Sequence, residues 1–336
     1  MTRSIICLIA IAAFAQASCG FEEDKAGGKE RSDILRSPAV KGLTDSIRLF
    51  PDNPDLYFRR ARLLSHNNYQ ELATPDYKKT WELTRDEAVA QEYISNLLVV
   101  NRVTEAEKLL HNARTLFPGN TEFGRRLAEI YVQQNQSERA TAEYDSILAR
   151  DPENFEAWYE KGTLLAQLKD TTGAVGALEK SFAIMPINYS GLALVSLYTS
   201  KKNPRALVIC DQLIARDSAQ SQTEPIFMKG VYYSETRQYA EAIKQFDLCI
   251  KRDWKLSDAY IEKGIIYYEQ KNYPEALKTF ELAITVSNTD PDAYYWLGKS
   301  NEATGDDVQA RLNYERALSL DNSFSEARQA LRRLNR

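Results

Sequence analysis

Residues 293–300 read AYYWLGKS, which fits by letters the loose phosphate-binding pattern of Ala or Gly, four residues, Gly-Lys and Ser or Thr. That chemistry needs a glycine-rich turn between a strand and a helix, whose successive backbone N–H groups cradle a phosphate. Here the intervening residues are Tyr294, Tyr295, Trp296 and Leu297, bulky side chains in a helical pattern. Nucleotide binding is therefore not expected. His66 and His111 are the only histidines and lie far apart, leaving little for acid–base or metal chemistry. No HExxH, no GxSxG and no Cys/His set with zinc spacing occurs, and the acids are scattered over solvent-facing phases. The chain reads as a non-enzyme, with no cofactor and no metal.

The 43 Lys and Arg against 47 Asp and Glu give a net charge of -4, and no basic cluster is long or unopposed. Nucleic acid is disfavoured as a ligand, because phosphate binding needs a basic face. Beyond the first nineteen residues the cysteines are Cys210 and Cys249, both on inward phases. Two small buried apolar side chains and a disulfide formed in an oxidising compartment are both readings of that pair.

What positions any functional surface is a repeat. Ala73, Ala106, Ala140, Ala174, Ala206, Ala242, Ala276 and Ala310 follow one another at 33, 34, 34, 32, 36, 34 and 34 residues. Alanine at one phase of a helical repeat is needed where helices cross too closely for a larger side chain. Units begin near residues 54, 87, 121, 155, 187–189, 223, 257 and 291. In the clearest, SDAYIEKGIIYYEQKNYPEALKTFELAITVSN from Ser257, the residues Tyr260, Gly264, Tyr267, Ala276, Phe280 and Ala283 fall at positions 4, 8, 11, 20, 24 and 27. Gly162, Gly230 and Gly298 hold position 8 in three other units, and Ile94 stands there in the second.

This pattern resembles the tetratricopeptide repeat, W-x2-L-G-x2-Y followed by A-x3-F. The resemblance implies an all-α fold: an α-solenoid of about eight antiparallel helix pairs in a right-handed superhelix. Pro118, Pro152 and Pro186 are expected to end second helices, and Asp290-Pro291 to cap and open a first helix. Residues 54–324 form the array, with capping helices at 39–53 and 325–336, the latter using Phe324, Ala327, Leu331 and Leu334 as its apolar face. The uneven intervals on either side of Ala206 suggest a change of path, or a break, near 188–222.

By the same resemblance, first helices line a concave face that contacts ligands at positions 2, 5, 9, 12 and 13. Those positions give Phe58 and Tyr159 in the amino-terminal half. In the other half they give Phe227, Val231, Ile261, Ile265, Tyr268, Tyr295 and Lys299, an apolar and aromatic groove rimmed by acids. Such a stripe is expected to bind a protein or peptide, as an extended segment or an amphipathic helix. The Lys/Asn/Arg clamp of chaperone-adaptor relatives is missing. Self-association through the groove is another reading.

The first residues carry a separate message. A positive start at Arg3, an apolar run over residues 5–15 and Ala17-Ser18-Cys19-Gly20 resemble a bacterial lipoprotein signal, although Gln16 stands where that family usually has Leu. The resemblance implies removal of residues 1–18 and lipid on Cys19, with 19–38 as a flexible tether. Gly20 favours the outer membrane over the inner by the sorting rule of such proteins, on the periplasmic face rather than the cell surface. Glu22-Glu23-Asp24 is somewhat similar to surface-export signals. The function expected is a scaffold in outer-membrane assembly, secretion or pilus machinery. The alternative is a surface-exposed accessory lipoprotein that assists an enzyme or a glycan-binding complex.

Overall fold

A computed structural model describes residues 33–334. The expected signal peptide (1–18), the lipid-bearing Cys19 and residues 19–32 of the tether lie outside the described residues. Among those described the structure is helix and turn only. After helical residues at 33–35 comes α1 (Pro38–Leu49), followed by four helix pairs: α2 (Pro54–His66) with α3 (Gln70–Thr84), α4 (Glu87–Val99) with α5 (Val103–Leu116), α6 (Glu122–Gln133) with α7 (Ser137–Arg150), and α8 (Phe155–Gln167) with α9 (Thr171–Ile184). Four more pairs come next: α10 (Asn188–Ser200) with α11 (Arg205–Arg216), α12 (Glu224–Glu235) with α13 (Tyr239–Arg252), α14 (Ser257–Glu269) with α15 (Tyr273–Val286), and α16 (Pro291–Ala303) with α17 (Asp307–Leu320). The last helix is α18 (Ser325–Leu334). No described helix is long and apolar enough to cross a membrane.

Helix starts follow from local chemistry. Asn53 and Asp290 accept the N–H of Asp55 and Asp292 at 3.1 and 3.0 Å, each with proline at the first helical position. Asp86 accepts from Ala88 and Val89 at the start of α4. Each pair turns in one way. A residue with φ between 53° and 83° follows the first helix, at Asn68, Asn101, Asn135, Lys169, Lys202, Arg237, Lys271 and Gly305. The residue after it donates its N–H back five positions at 2.7–2.9 Å, as from Asn272 to Tyr267. This satisfies one of the open carbonyls at the end of the first helix.

All eight ladder alanines are fully buried. Position 8 explains the need for glycine. A Cβ on Gly230, Gly264 or Gly298 would stand 2.6, 2.5 or 2.8 Å from the nearest ring atom of Phe246, Phe280 or Tyr314, sixteen residues further on. Gly162 is also buried. Cys210 and Cys249 are buried and unbridged, and burial pushes both thiols up to about 12.

The chain forms two compact units, one ending at Leu164 and one beginning at Leu165. In the first, a single core runs from Val40 to Leu164 and includes Ala61, Tyr77, Ile94, Leu127 and Tyr131. Arg60 joins Asp76 through two hydrogen bonds of 2.6 and 2.7 Å, both side chains largely buried, and donates to Thr44 on α1. In the second, separate cores surround Phe246, Phe280 and Tyr314. Phe324, Ala327 and Ala330 of the last segment are buried with Tyr314.

The residues of the uneven intervals, 188–222, lie inside the second unit. There Asp217 accepts the backbone N–H of Gln222 and Ser221, which holds its carboxyl below the usual range. Arg252 pairs with Asp217 and donates to the Gln222 carbonyl. The longer connection is thus pinned at both ends.

Candidate functional site

In the first unit the first-helix face is charged, and arginines pair with glutamates of the same and neighbouring first helices. Phe58 is half-buried, edge-on to Tyr77 at 6.2 Å, with the Arg62 guanidinium 5.7 Å above its ring. Arg62 pairs with Glu92 on the next first helix. Arg125 on α6 binds Glu160 on α8 and also reaches Glu122 and Glu156. Burial opposes its charge, but those carboxylates, Glu160 foremost, raise its pKa above the ordinary arginine value. Arg126 pairs with Glu122 and donates to Ser95 on α4. Tyr159 is half-buried on α8.

The second unit differs. First helices of consecutive pairs touch, α10 with α12, α12 with α14 and α14 with α16. Phe227 and Val231 are half-buried, Phe227 tilting onto Phe246 at 5.6 Å. Ile265 and Tyr268 are half-buried against the Phe280 core. Ile261, expected on the groove, is 6 % exposed and belongs to that core. Its short branched side chain is covered where Phe227 and Tyr295, at the same position, keep ring area at the surface.

At the α14–α16 junction Tyr268, Tyr295 and Trp296 surround one ammonium. Lys299 Nζ lies 4.1 Å from the Trp296 ring centre, 4.9 Å from that of Tyr268 and 5.7 Å from that of Tyr295. Burial, with Arg333 nearby, lowers its pKa, while Glu302 and Glu269 act the other way. Cation–π attraction in a partly dry site contributes about 1–2 kcal/mol to holding it. Trp296 stands edge-on to Tyr268 and Tyr295 and lies nearly parallel to Phe280. The sequence reading missed it, since it occupies position 6, outside the assumed contact positions. Arg333 on the last helix, largely exposed, grips Glu302 at 2.9 and 2.7 Å while Tyr314 donates to the same carboxylate. Glu302 is therefore held below the usual carboxylate range.

Glu262, also at position 6, was missed as well. It faces Asp258, Glu235, Glu269 and Asp292, and burial first, then those charges, push it up to about 7. Asp258 is raised by burial and by Asp290. Lys229 and Lys263 turn away from this face, to Asp211 and Asp247 on second helices. Residues 293–300 lie within α16, with Gly298 against the Tyr314 ring and Lys299 among the aromatics rather than in a loop.

Tetratricopeptide-repeat family models match residues 100–168, 224–253, 264–305 and 292–323. The chain carries tetratricopeptide repeats. Among solved structures, PilW, a type IV pilus biogenesis factor, superposes with a TM-score of 0.53 at 17% identity, over 63% of this chain and 98% of that one. The C-terminal part of a tetratricopeptide protein from Cytophaga hutchinsonii gives 0.50 at 14% identity, over 82% and 99%. A tetratricopeptide repeat protein from Parabacteroides merdae gives 0.45 at 15%, over 84% and 99%. At these identities the likeness is one of fold, the all-α solenoid class. No curated protein sequence matches.

Proposed function

We propose that this tetratricopeptide protein is a non-catalytic scaffold that holds a partner protein on the first-helix face of α12, α14 and α16. The observation that carries the reading is the half-buried ring cluster of Tyr268, Tyr295 and Trp296 on α14 and α16, with Phe227 and Val231 half-buried on α12. Rings that keep part of their area in water lose little on ordering and gain much on being covered, which makes them interface anchors. The amino-terminal resemblance supports an anchor: lipid on Cys19 tethers the array to the bacterial outer membrane, on its periplasmic face. Outer-membrane assembly, secretion and pilus machinery are the processes in view, and the fold does not select among them. A photo-crosslinking residue placed at Tyr295 in cells should trap a discrete partner, and one at the exposed Leu282 of α15 should not. Trapping at Leu282 alone would overturn the assignment of the face.

A further inference from the structure

Three glutamates, Glu92, Glu160 and Glu262, stand at position 6 of their units and have different company; Glu92 pairs with Arg62 of the preceding first helix. Glu160 receives the Arg125 guanidinium, which projects from position 5 of the preceding first helix. The position equivalent to Arg125 for Glu262 is Phe227, whose ring packs on Phe246. Among the described residues no lysine or arginine pairs with Glu262, Asp258 or Glu235. A half-buried carboxylate without a cation is costly to keep charged, and more acids around it add to the cost. We propose that the Glu262 carboxylate, with Asp258 and Glu235 beside it, receives a lysine or arginine side chain from an extended partner segment laid across α12 and α14.

The inference rests on the groove reading above and names the chemistry of its occupant. Charge complementarity selects a basic segment: the acids here are uncompensated, whereas those bound by Arg125 and Arg126 in the first unit are already neutralised. Apolar side chains alternating with the basic ones would cover Phe227 and Val231. An incoming cation would do for Glu262 what Arg125 does for Glu160.

Fluorescence anisotropy of the full chain with short peptides alternating Lys or Arg with Leu tests this, against counterparts carrying Gln in place of the basic residues. The basic peptides should bind, and Glu262→Gln should weaken them about tenfold while barely changing the Gln peptide. Glu281→Gln, on the exposed side of α15, should bind like wild type. Phe227→Arg, which supplies the missing guanidinium from within, should also weaken binding. Equal binding to wild type and Glu262→Gln, or no binding of the basic peptides, would overturn the proposal. If Tyr295→Ala still weakens a peptide that Glu262→Gln does not, only the charge assignment falls. If neither variant matters, the groove reading falls with it.

Discussion

Replacing Gly264 by alanine adds one methyl group at a helix crossing that has no room for it. The new Cβ would stand 2.5 Å from Cε1, 2.7 Å from Cζ and 2.9 Å from Cδ1 of Phe280. Favourable carbon contacts lie at about 3.5–4.0 Å, so the ring must retreat by roughly 1 Å. Phe280 is fully buried and Trp296 lies nearly parallel to it at 6.3 Å, so that retreat disturbs the ring cluster as well. Overpacking costs about 1–3 kcal/mol, against about 1 kcal/mol gained by alanine over glycine in a helix, for a net loss of up to about 2 kcal/mol. Gly176→Ala on α9 is the reference: nothing lies within 4 Å of its added Cβ, and only the gain should appear. Urea denaturation followed by helical circular dichroism, with hydrogen exchange at the amides of α14 and α15, reads both the global and the local effect. In a Phe280→Leu background the methyl has space, and the sign of the Gly264→Ala effect should reverse. A loss of the same size in that background would refute the ring contact as its cause.

Glu262 makes stability depend on pH in a defined direction. Between its ordinary value of 4.5 and about 7 the folded chain holds a proton that the unfolded chain has released, so its contribution is full below that window and declines as pH rises through it. Glu262→Gln should remove at most about 3 kcal/mol of that decline, read from paired denaturation midpoints across the window, and parallel profiles would sink the idea. Asp76→Ala leaves the Arg60 guanidinium without its bidentate partner in a site where the arginine side chain is 12 % exposed. The expected loss is about 3–5 kcal/mol, accompanied by faster hydrogen exchange in α1 through Thr44, and a loss below about 1 kcal/mol would show that water replaces the carboxylate.

The repeat was legible because small residues have few reasons to recur at one phase. Ala276 and Gly264 are there because Phe280 and the facing helix exclude anything larger, and their spacing carries that exclusion into the sequence. The turns were not legible in the same way. Lys169, Lys202 and Lys271 adopt positive φ where glycine would have signalled it, so the backbone cost is accepted without a letter to mark it. Ile261 was misread because position 5 alone does not say whether a side chain is long enough to reach the surface. Trp296, Glu262 and Arg125 were undervalued because their roles depend on the neighbouring unit. Arg125 and Glu160 are 35 residues apart, and only stacking brings them together.

Positions that hold a unit together and positions that face a partner are largely different residues. Glycine at 8, alanine at 20 and the ring at 24 are buried within a pair, and the Lys161–Asp145 and Lys263–Asp247 bridges tie first helices to the second helices before them. Position 5 of one repeat and position 6 of the next look onto the first-helix face, and carry Arg125 with Glu160 at one junction but Phe227 with Glu262 at another. Exchanging one pair for the other alters the charge offered to a ligand and leaves the glycine, alanine and ring contacts untouched. Recognition could therefore change from unit to unit at small cost in folding, as expected of an array whose stability comes from each pair and its nearest neighbours. Position 9 shows the limit of that freedom: Lys299 can turn a cation into the groove because three rings replace its lost water, and an acid there would meet the negative faces of the same rings.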